Sequence, residues 1–214
     1  MSQSQIGNQQ IIVSGVGGQG VLFITKLLAE TALDLGYSVL ISETHGMAQR
    51  GGIVISHLKV GMRPPESAAT TSDTASMHQP EGNDLTGPGA ILVSPLIRPG
   101  RADVLLALHP DGFRAHAFYL KPGGKVFRNE PDAPNEPDAA EGSSLNATAI
   151  ATELGSPVSA NLVLLGFAAG SGQLFCDPEQ LEKTIERYGG KRLEGSLEAY
   201  RAGLGQSRSR HLGS

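Results

Sequence analysis

Two glycine-bearing stretches hold the residues best suited to chemistry: Gly15-Val16-Gly17-Gly18-Gln19-Gly20 and Ser42-Glu43-Thr44-His45-Gly46-Met47-Ala48-Gln49-Arg50-Gly51-Gly52. The first follows the apolar run Ile11-Ile12-Val13 and opens a helical pattern. Glycines at this spacing let the backbone leave a strand sharply, leave room for a ligand or neighbouring chain, and pack the next helix on the sheet. Amide N–H groups at the start of that helix favour an anion. In the second stretch, Arg50 stands between Gln49 and the pair Gly51-Gly52. A guanidinium is a planar fork of donors for a carboxylate or phosphate, and glycine permits close approach. The same residues also read as a self-contained loop, with Gln49 and Arg50 bonded to backbone carbonyls and the glycines relieving crowding. His45 reads either as a site residue or as a turn residue beside Gly46. Glu43 stands roughly where a dinucleotide-binding fold places the acid that holds the ribose hydroxyls. The candidate cofactor-binding or interface residues are therefore Gly15, Gly17, Gly18, Gln19, Gly20, Glu43, His45, Gln49, Arg50, Gly51 and Gly52.

Other chemistry finds little support. The chain has one cysteine, Cys176, so it offers neither a disulfide framework nor four cysteine ligands for an iron–sulfur cluster. Cys176 reads as a small packing residue. The six histidines show neither HxxxH nor HExxH spacing, so no metal set is assigned. His57 shares a strand face with Ile53, Ile55 and Lys59 and reads as an edge or core histidine. There is no GxSxG and no phosphate loop ending in Lys-Ser/Thr, and no nucleophile–base–orienter set is assigned as catalytic. A formal charge of −4 with scattered Lys and Arg argues against nucleic acid as a partner. No apolar run approaches the roughly 20 residues that span a bilayer, and the first ten residues do not resemble a signal peptide. A soluble, cytoplasmic protein is the expectation.

The elements that must position the two loops are legible in the apolar pattern. The 214 residues fit one domain, expected over 9–204, with a flexible start at 1–8 and a flexible tail at 205–214. Strands are expected at 10–14, 38–42, 53–60, 90–93, 103–108 and 125–128, the first with an apolar centre suited to burial on both faces. Helices are expected at 18–35, 112–120, 147–154, 161–169 with a break at Gly166, 178–188, and 195–204. Pro122-Gly123-Gly124 reads as a turn. Residues 61–89 and 129–143 read as long loops, the first without periodicity, the second carrying an acidic, proline-bearing run. Strands alternating with helices predict an α/β, Rossmann-like three-layer α/β/α fold with a mostly parallel sheet.

The pairing of the Gly15–Gly20 loop with the Met-Ala-Gln-Arg-Gly-Gly loop at 47–52 resembles the gamma-type domain of the 2-oxoacid:ferredoxin (acceptor) oxidoreductases, with greatest similarity to the indolepyruvate branch. Ser94-Pro95-Leu96-Ile97, Ala102 to Leu108, and Asn161 to Gly166 extend the likeness over nearly the whole chain. The resemblance implies a subunit of an enzyme that oxidatively decarboxylates a 2-oxoacid, of indolepyruvate or aryl-pyruvate type, to an acyl-CoA. It implies thiamine diphosphate, 4Fe-4S clusters and coenzyme A in the complex, carried largely by a larger partner subunit, with ferredoxin as electron acceptor. Two alternatives stay open on the residues themselves: a stand-alone NAD(P)-dependent dehydrogenase using Gly15, Gly17, Gly20 and Glu43, and a nucleotide-binding scaffold domain.

Overall fold

The strand that leads into the first glycine loop is the backbone of the sheet. In the computed structural model, which describes residues 8–45, 52–61, 94–131, 142–188 and 190–211, β1 (Asn8–Val16) has Ile11, Ile12 and Val13 fully buried. Alternate side chains point to opposite faces, so a strand apolar at consecutive positions must be covered on both. Six strands line up in the order β2-β3-β1-β4-β5-β6. The others are β2 (Ser38–His45), β3 (Ile53–Gly61), β4 (Ala102–Ala107), β5 (Leu120–Asn129) and β6 (Gly142–Leu145). β1–β4, β4–β5 and β5–β6 pair parallel, whereas β3 runs antiparallel to both β1 and β2.

One face carries the large core. It is covered by α1 (Val21–Asp34), α3 (Ala147–Glu153), α4 (Ala160–Gly170), α5 (Pro178–Tyr188) and α6 (Leu193–His211). α4 is buried at every position from Leu162 to Ala169, as expected of a helix enclosed by sheet and helices. α6 comes close enough to α4 that a Cβ on Gly166 would overlap the Tyr200 carbonyl oxygen, and one on Gly203 would overlap that of Val163. Thr31 and Thr184 share a buried hydroxyl hydrogen bond of 2.7 Å that ties α1 to α5. The opposite face is thinner. There α2 (Pro110–His116), the 3-10 turn Ala117–Tyr119 and the stretch around Ile97 cover Ile12, Ile55, Leu105, Ala107 and Val126.

The expected α/β architecture and mostly parallel sheet hold, with several local corrections. β1 and β2 are not neighbours, because β3 sits between them. Pro122-Gly123-Gly124 does not end an element: it lies within β5 as an irregularity, where the β4–β5 register shifts between Ala102 and Val104 and Gly123 takes φ 75°. The helix expected at 112–120 is α2 plus a 3-10 turn, and Leu120 already belongs to β5. The loop expected at 129–143 is interrupted, since Asn129 ends β5 and β6 begins at Gly142. The Gly-Ser-Ser-Leu composition of β6 gives little β signal; pairing with β5 creates it. α4 runs through Gly166 unbroken. α6 continues to His211, so the flexible tail expected from 205 is helical, and Ser207 is buried against Gly170. Asn8 belongs to β1 and Gly61 to β3; the expected strand at 90–93, residues 1–7 and residues 62–89 lie outside the described residues.

The α4–α6 contact makes a direct prediction. Gly166→Ala should destabilise by about 1–3 kcal/mol, because the methyl meets backbone that cannot rotate away. Gly205→Ala, on α6 with open space at its Cβ position, should be neutral or stabilising by up to about 1 kcal/mol. Urea unfolding of the two variants checks this; equal losses would mean that close approach does not set the α4–α6 distance.

Candidate functional site

β1, β2, β4, β5 and β6 share one direction, so their carboxyl ends lie on one edge, where β3 begins. Open α/β sheets bind ligands at this edge. The glycine loop leaves β1 here, the chain leaves β2 here at His45, and Gly52 brings it back into β3. The Gly17 amide donates to the Gly52 carbonyl at 2.9 Å, joining the two motifs directly. Their meeting follows from register: Val16 pairs with Ile53, and His45 pairs with Val54.

Each glycine of the first loop has its own reason. A Cβ on Gly15 would come within 2.9 Å of Gln19 Oε1 and 3.0 Å of Leu108 Cβ. Gly18 is exposed, with φ 93° and open space around it, so conformation rather than crowding selects glycine there. Gly20 has φ 82° and lies against Asn161, whose Nδ2 donates to the Gln19 carbonyl at 3.1 Å. Gln19 closes the loop on itself: its amide donates to the Val16 carbonyl at 3.1 Å, and its Oε1 accepts from the Val16 amide at 2.8 Å. Gly20 caps α1 without a side-chain hydrogen bond, and no acidic residue occupies the first turn. The loop is thus held by internal bonds, and the open donors belong to the first turn of α1.

Glu43 is exposed on β2, opposite Ser56 of β3, which in turn pairs with Val13 of β1. Two strand spacings, roughly 10 Å, therefore separate Glu43 from the strand that carries the glycine loop. His45 is the last residue of β2. Gln49, Arg50 and Gly51 lie outside the described residues, between His45 and Gly52.

Asn161 is the residue the loop depends on that sequence reading did not single out as a site residue. Its signal was an asparagine opening an otherwise apolar helix. Further along the same edge, Asn129 Nδ2 donates to the Leu108 carbonyl at 3.2 Å and to Thr148 Oγ1 at 2.9 Å. His109 caps α2, its Nδ1 accepting from the Asp111 amide at 3.1 Å. Cys176 is buried, and burial pushes its thiol far above the ordinary range, so it stays a packing thiol rather than a thiolate.

Beneath the edge, on the α2 side, two histidines are enclosed. Ser14 Oγ donates to the Gly112 carbonyl at 3.2 Å and lies 2.7 Å from His116 Nδ1, so α2 is pinned on β1. His57, 2% exposed, uses Nδ1 to accept from the Ile97 amide at 3.2 Å and meets the Tyr119 ring edge-on at 5.2 Å. The accepting Nδ1 requires the unprotonated nitrogen. Burial, then His116 and Lys59, lower the His57 pKa; burial lowers that of His116 against an opposing contribution from the Gly112 carbonyl. His57 is a core histidine of a central strand.

The fold defines a three-layer α/β domain whose carboxyl edge carries the Gly15–Gly20 loop, hydrogen-bonded to Gly52 at the start of β3. The chain belongs to the pyruvate ferredoxin/flavodoxin oxidoreductase family, whose model matches residues 10–86 and 89–206. It is 28% identical over 196 residues to the indolepyruvate oxidoreductase subunit IorB of Thermococcus kodakarensis, covering 82% of this chain and 83% of the relative. Among solved structures, the gamma subunit of a keto/oxoacid ferredoxin oxidoreductase from Geobacter sulfurreducens superposes with TM-score 0.65 at 21% identity, covering 94% of this chain and 99% of that one. A 2-oxoglutarate:ferredoxin oxidoreductase from Magnetococcus marinus, solved with 2-oxoglutarate, coenzyme A and succinyl-CoA bound, gives TM-score 0.68 at 18% identity. That match covers 95% of this chain and 31% of the longer one. No helix among the described residues is long and apolar enough to cross a membrane.

Two predictions follow from this geometry. Asn161→Ala removes the hold on the Gln19 carbonyl and should cost about 1 kcal/mol in unfolding free energy while loosening residues 17–20, read as faster amide exchange there. His57 and His116 have pKa values below the unfolded value of about 6.5, so the folded chain binds fewer protons in that window. Their contribution to stability is complete above about pH 6.5 and is lost as pH falls below it. Urea midpoints across that range should decline on acidification, and less steeply in His57→Gln.

Proposed function

We propose that this chain is the gamma-type subunit of a 2-oxoacid:ferredoxin oxidoreductase of the indolepyruvate or aryl-pyruvate class, shaping the edge of a catalytic centre whose cofactors reside mainly on a larger companion. The observation that carries this reading is the Gly17–Gly52 hydrogen bond. It joins the glycine loop to Gly52, the residue that follows Gln49, Arg50 and Gly51 in sequence, at the carboxyl edge of the sheet. On this reading thiamine diphosphate, 4Fe-4S clusters and coenzyme A would be held mainly by the companion and would supply decarboxylation of the 2-oxoacid, electron transfer to ferredoxin and acceptance of the acyl group. This chain's contribution is an interface and, through Arg50 and the first-turn amides of α1, a site for a coenzyme A phosphate or a substrate carboxylate. The substrate class rests on the names of the IorB relatives.

The single, buried cysteine suits a subunit that leaves cluster ligation to its companion. An open groove of ≈ 500 Å³ between α1 and the edge strand β2 suits a subunit contact, with Leu33 54% and Ile41 41% exposed along it. The dehydrogenase alternative is disfavoured by β3, which separates Glu43 from the glycine loop by two strand spacings. A cytoplasmic location goes with the proposed role.

A native pull-down of the tagged chain, followed by mass spectrometry and an absorption spectrum, tests the complex. A large companion with broad iron–sulfur absorption and bound thiamine diphosphate is expected. A colourless chain recovered alone, with micromolar binding of NAD or NADP, would replace this reading with the dehydrogenase. In the assembled enzyme Arg50→Ala should raise the apparent KM for coenzyme A or the 2-oxoacid about tenfold or more, the scale of a lost charge-assisted bidentate contact. Loss of assembly instead would assign Arg50 to the interface, and unaltered kinetics with intact assembly would remove it from the site.

A further inference from the structure

Arg128, on β5 one residue before the strand ends, is the arginine whose situation the fold leaves unexplained. Every other arginine with a described side chain is solvent-exposed. Of those, Arg114, Arg187 and Arg201 are paired with Asp111, Asp34 and Glu182. Arg128 is half-buried, and its Nε is withdrawn from solvent with no hydrogen-bond partner. No carboxylate among the described residues lies within ion-pair distance of it; Asp111, on the helix packed above, is held by Arg114. The one described contact of its charged group is with the Phe113 ring, 4.8 Å from Cζ to the ring centroid. A buried N–H without an acceptor costs free energy, so the Nε of Arg128 calls for an acceptor, and an anion suits the guanidinium that carries it.

The surroundings make this a prepared position. Ser14 and the close approach of Gly112 fix the first turn of α2 on β1, which sets Phe113 over Arg128. A guanidinium seated over an aromatic ring is restrained before an oxyanion binds and loses less freedom on binding it. Arg128 pairs with Ala107 of β4, which pairs with Ser14 of β1, so it stands two strands, roughly 10 Å, from the strand that carries the glycine loop, at the same carboxyl edge.

We propose that Arg128 and Phe113 form an oxyanion-binding site that receives a carboxylate or a phosphate group at the carboxyl end of β5. The site is built from described residues of this chain alone, so it can be present or absent whatever the fate of the oxidoreductase assignment. Its test is a titration of the full chain, isotopically labelled, at constant ionic strength, with inorganic phosphate, coenzyme A and pyruvate as separate probes. The Arg128 Nε–Hε resonance and the Phe113 and Asn129 amides should shift saturably with a dissociation constant in the millimolar range or tighter. Response to phosphate and coenzyme A alone would identify a phosphate site, response to pyruvate alone a carboxylate site, and response to all a general oxyanion site. Arg128→Lys keeps the charge but loses the fork and should weaken binding tenfold or more at the same amides. Phe113→Leu keeps the arginine, removes its platform and should weaken binding severalfold, which holds the test open should Arg128→Lys perturb folding. Absence of saturable shifts in the unaltered chain, or undiminished affinity in both variants, would overturn the proposal.

Discussion

The pairing of β3 between β1 and β2 is the constraint on which the site depends. A plain strand–helix–strand opening would set β2 beside β1 and bring Glu43 next to the glycine loop, the arrangement that serves a dinucleotide. Here the chain turns back after β2 and threads an antiparallel strand through the gap, pairing nine residues with β1 and eight with β2. That register carries two consequences at once. It delivers Gly52 to the Gly17 amide, so two glycines 35 residues apart in sequence are hydrogen-bonded at the carboxyl edge. It also moves the acid away, so the Gly-rich motif is kept while its usual partner is displaced. The same six-residue motif is therefore kept without its usual acidic neighbour, because of one strand inserted more than thirty residues downstream.

The two faces of the sheet divide the labour. The α1/α4/α6 side buries most of the apolar surface and supplies the bulk of the stabilisation, with glycines letting α4 and α6 meet backbone to backbone. The α2 side has fewer apolar residues and mixes them with Ser14, His57, His116 and Arg128. Polar groups in such a layer must be satisfied individually, and two of them are: His57 accepts from the Ile97 amide, and Ser14 is bonded to Gly112 and His116. Arg128 stands apart from that pattern. Its Nε and the Ser56 hydroxyl are the buried side-chain polar atoms without a hydrogen-bond partner among the described residues, and of the two only the arginine carries a charge.

How much of this the chain announced in advance depends on range. The apolar run of β1, the periodicity of α1, and the stops at Gly36 and Gly155 are local signals, and each element formed near its expected place with those glycines at positive φ. Pairings made by residues distant in sequence were not legible. β6 has almost no strand propensity and exists because β5 offers it an edge. The α6 extension past Leu204 lacks a strong apolar period and is held by Gly170 against Ser207. The position of β3 between β1 and β2 could not be read from the order of elements, because order alone does not say which strands touch. For the site, the glycines of the first loop and their conformational roles were legible, whereas Asn161 and Arg128 act through contacts that no local pattern encodes.

The family relationships bear on what kind of surface this domain must present. An equivalent fold accounts for nearly all of one separate gamma subunit and for about a third of a longer oxidoreductase chain. A fold found both free-standing and within a longer chain must hold its shape by its own contacts. That requirement matches a glycine loop whose shape is stored in its own bonds, Gln19 to Val16 and Asn161 to Gln19, rather than induced by whatever it meets. A preformed loop loses little entropy on docking, so the contact energy goes into affinity and register rather than into folding the loop. The same reasoning applies to a stacked arginine. In both places the domain brings preformed donors to the carboxyl edge of its sheet, and donors held in this way lose little freedom when they meet a partner group.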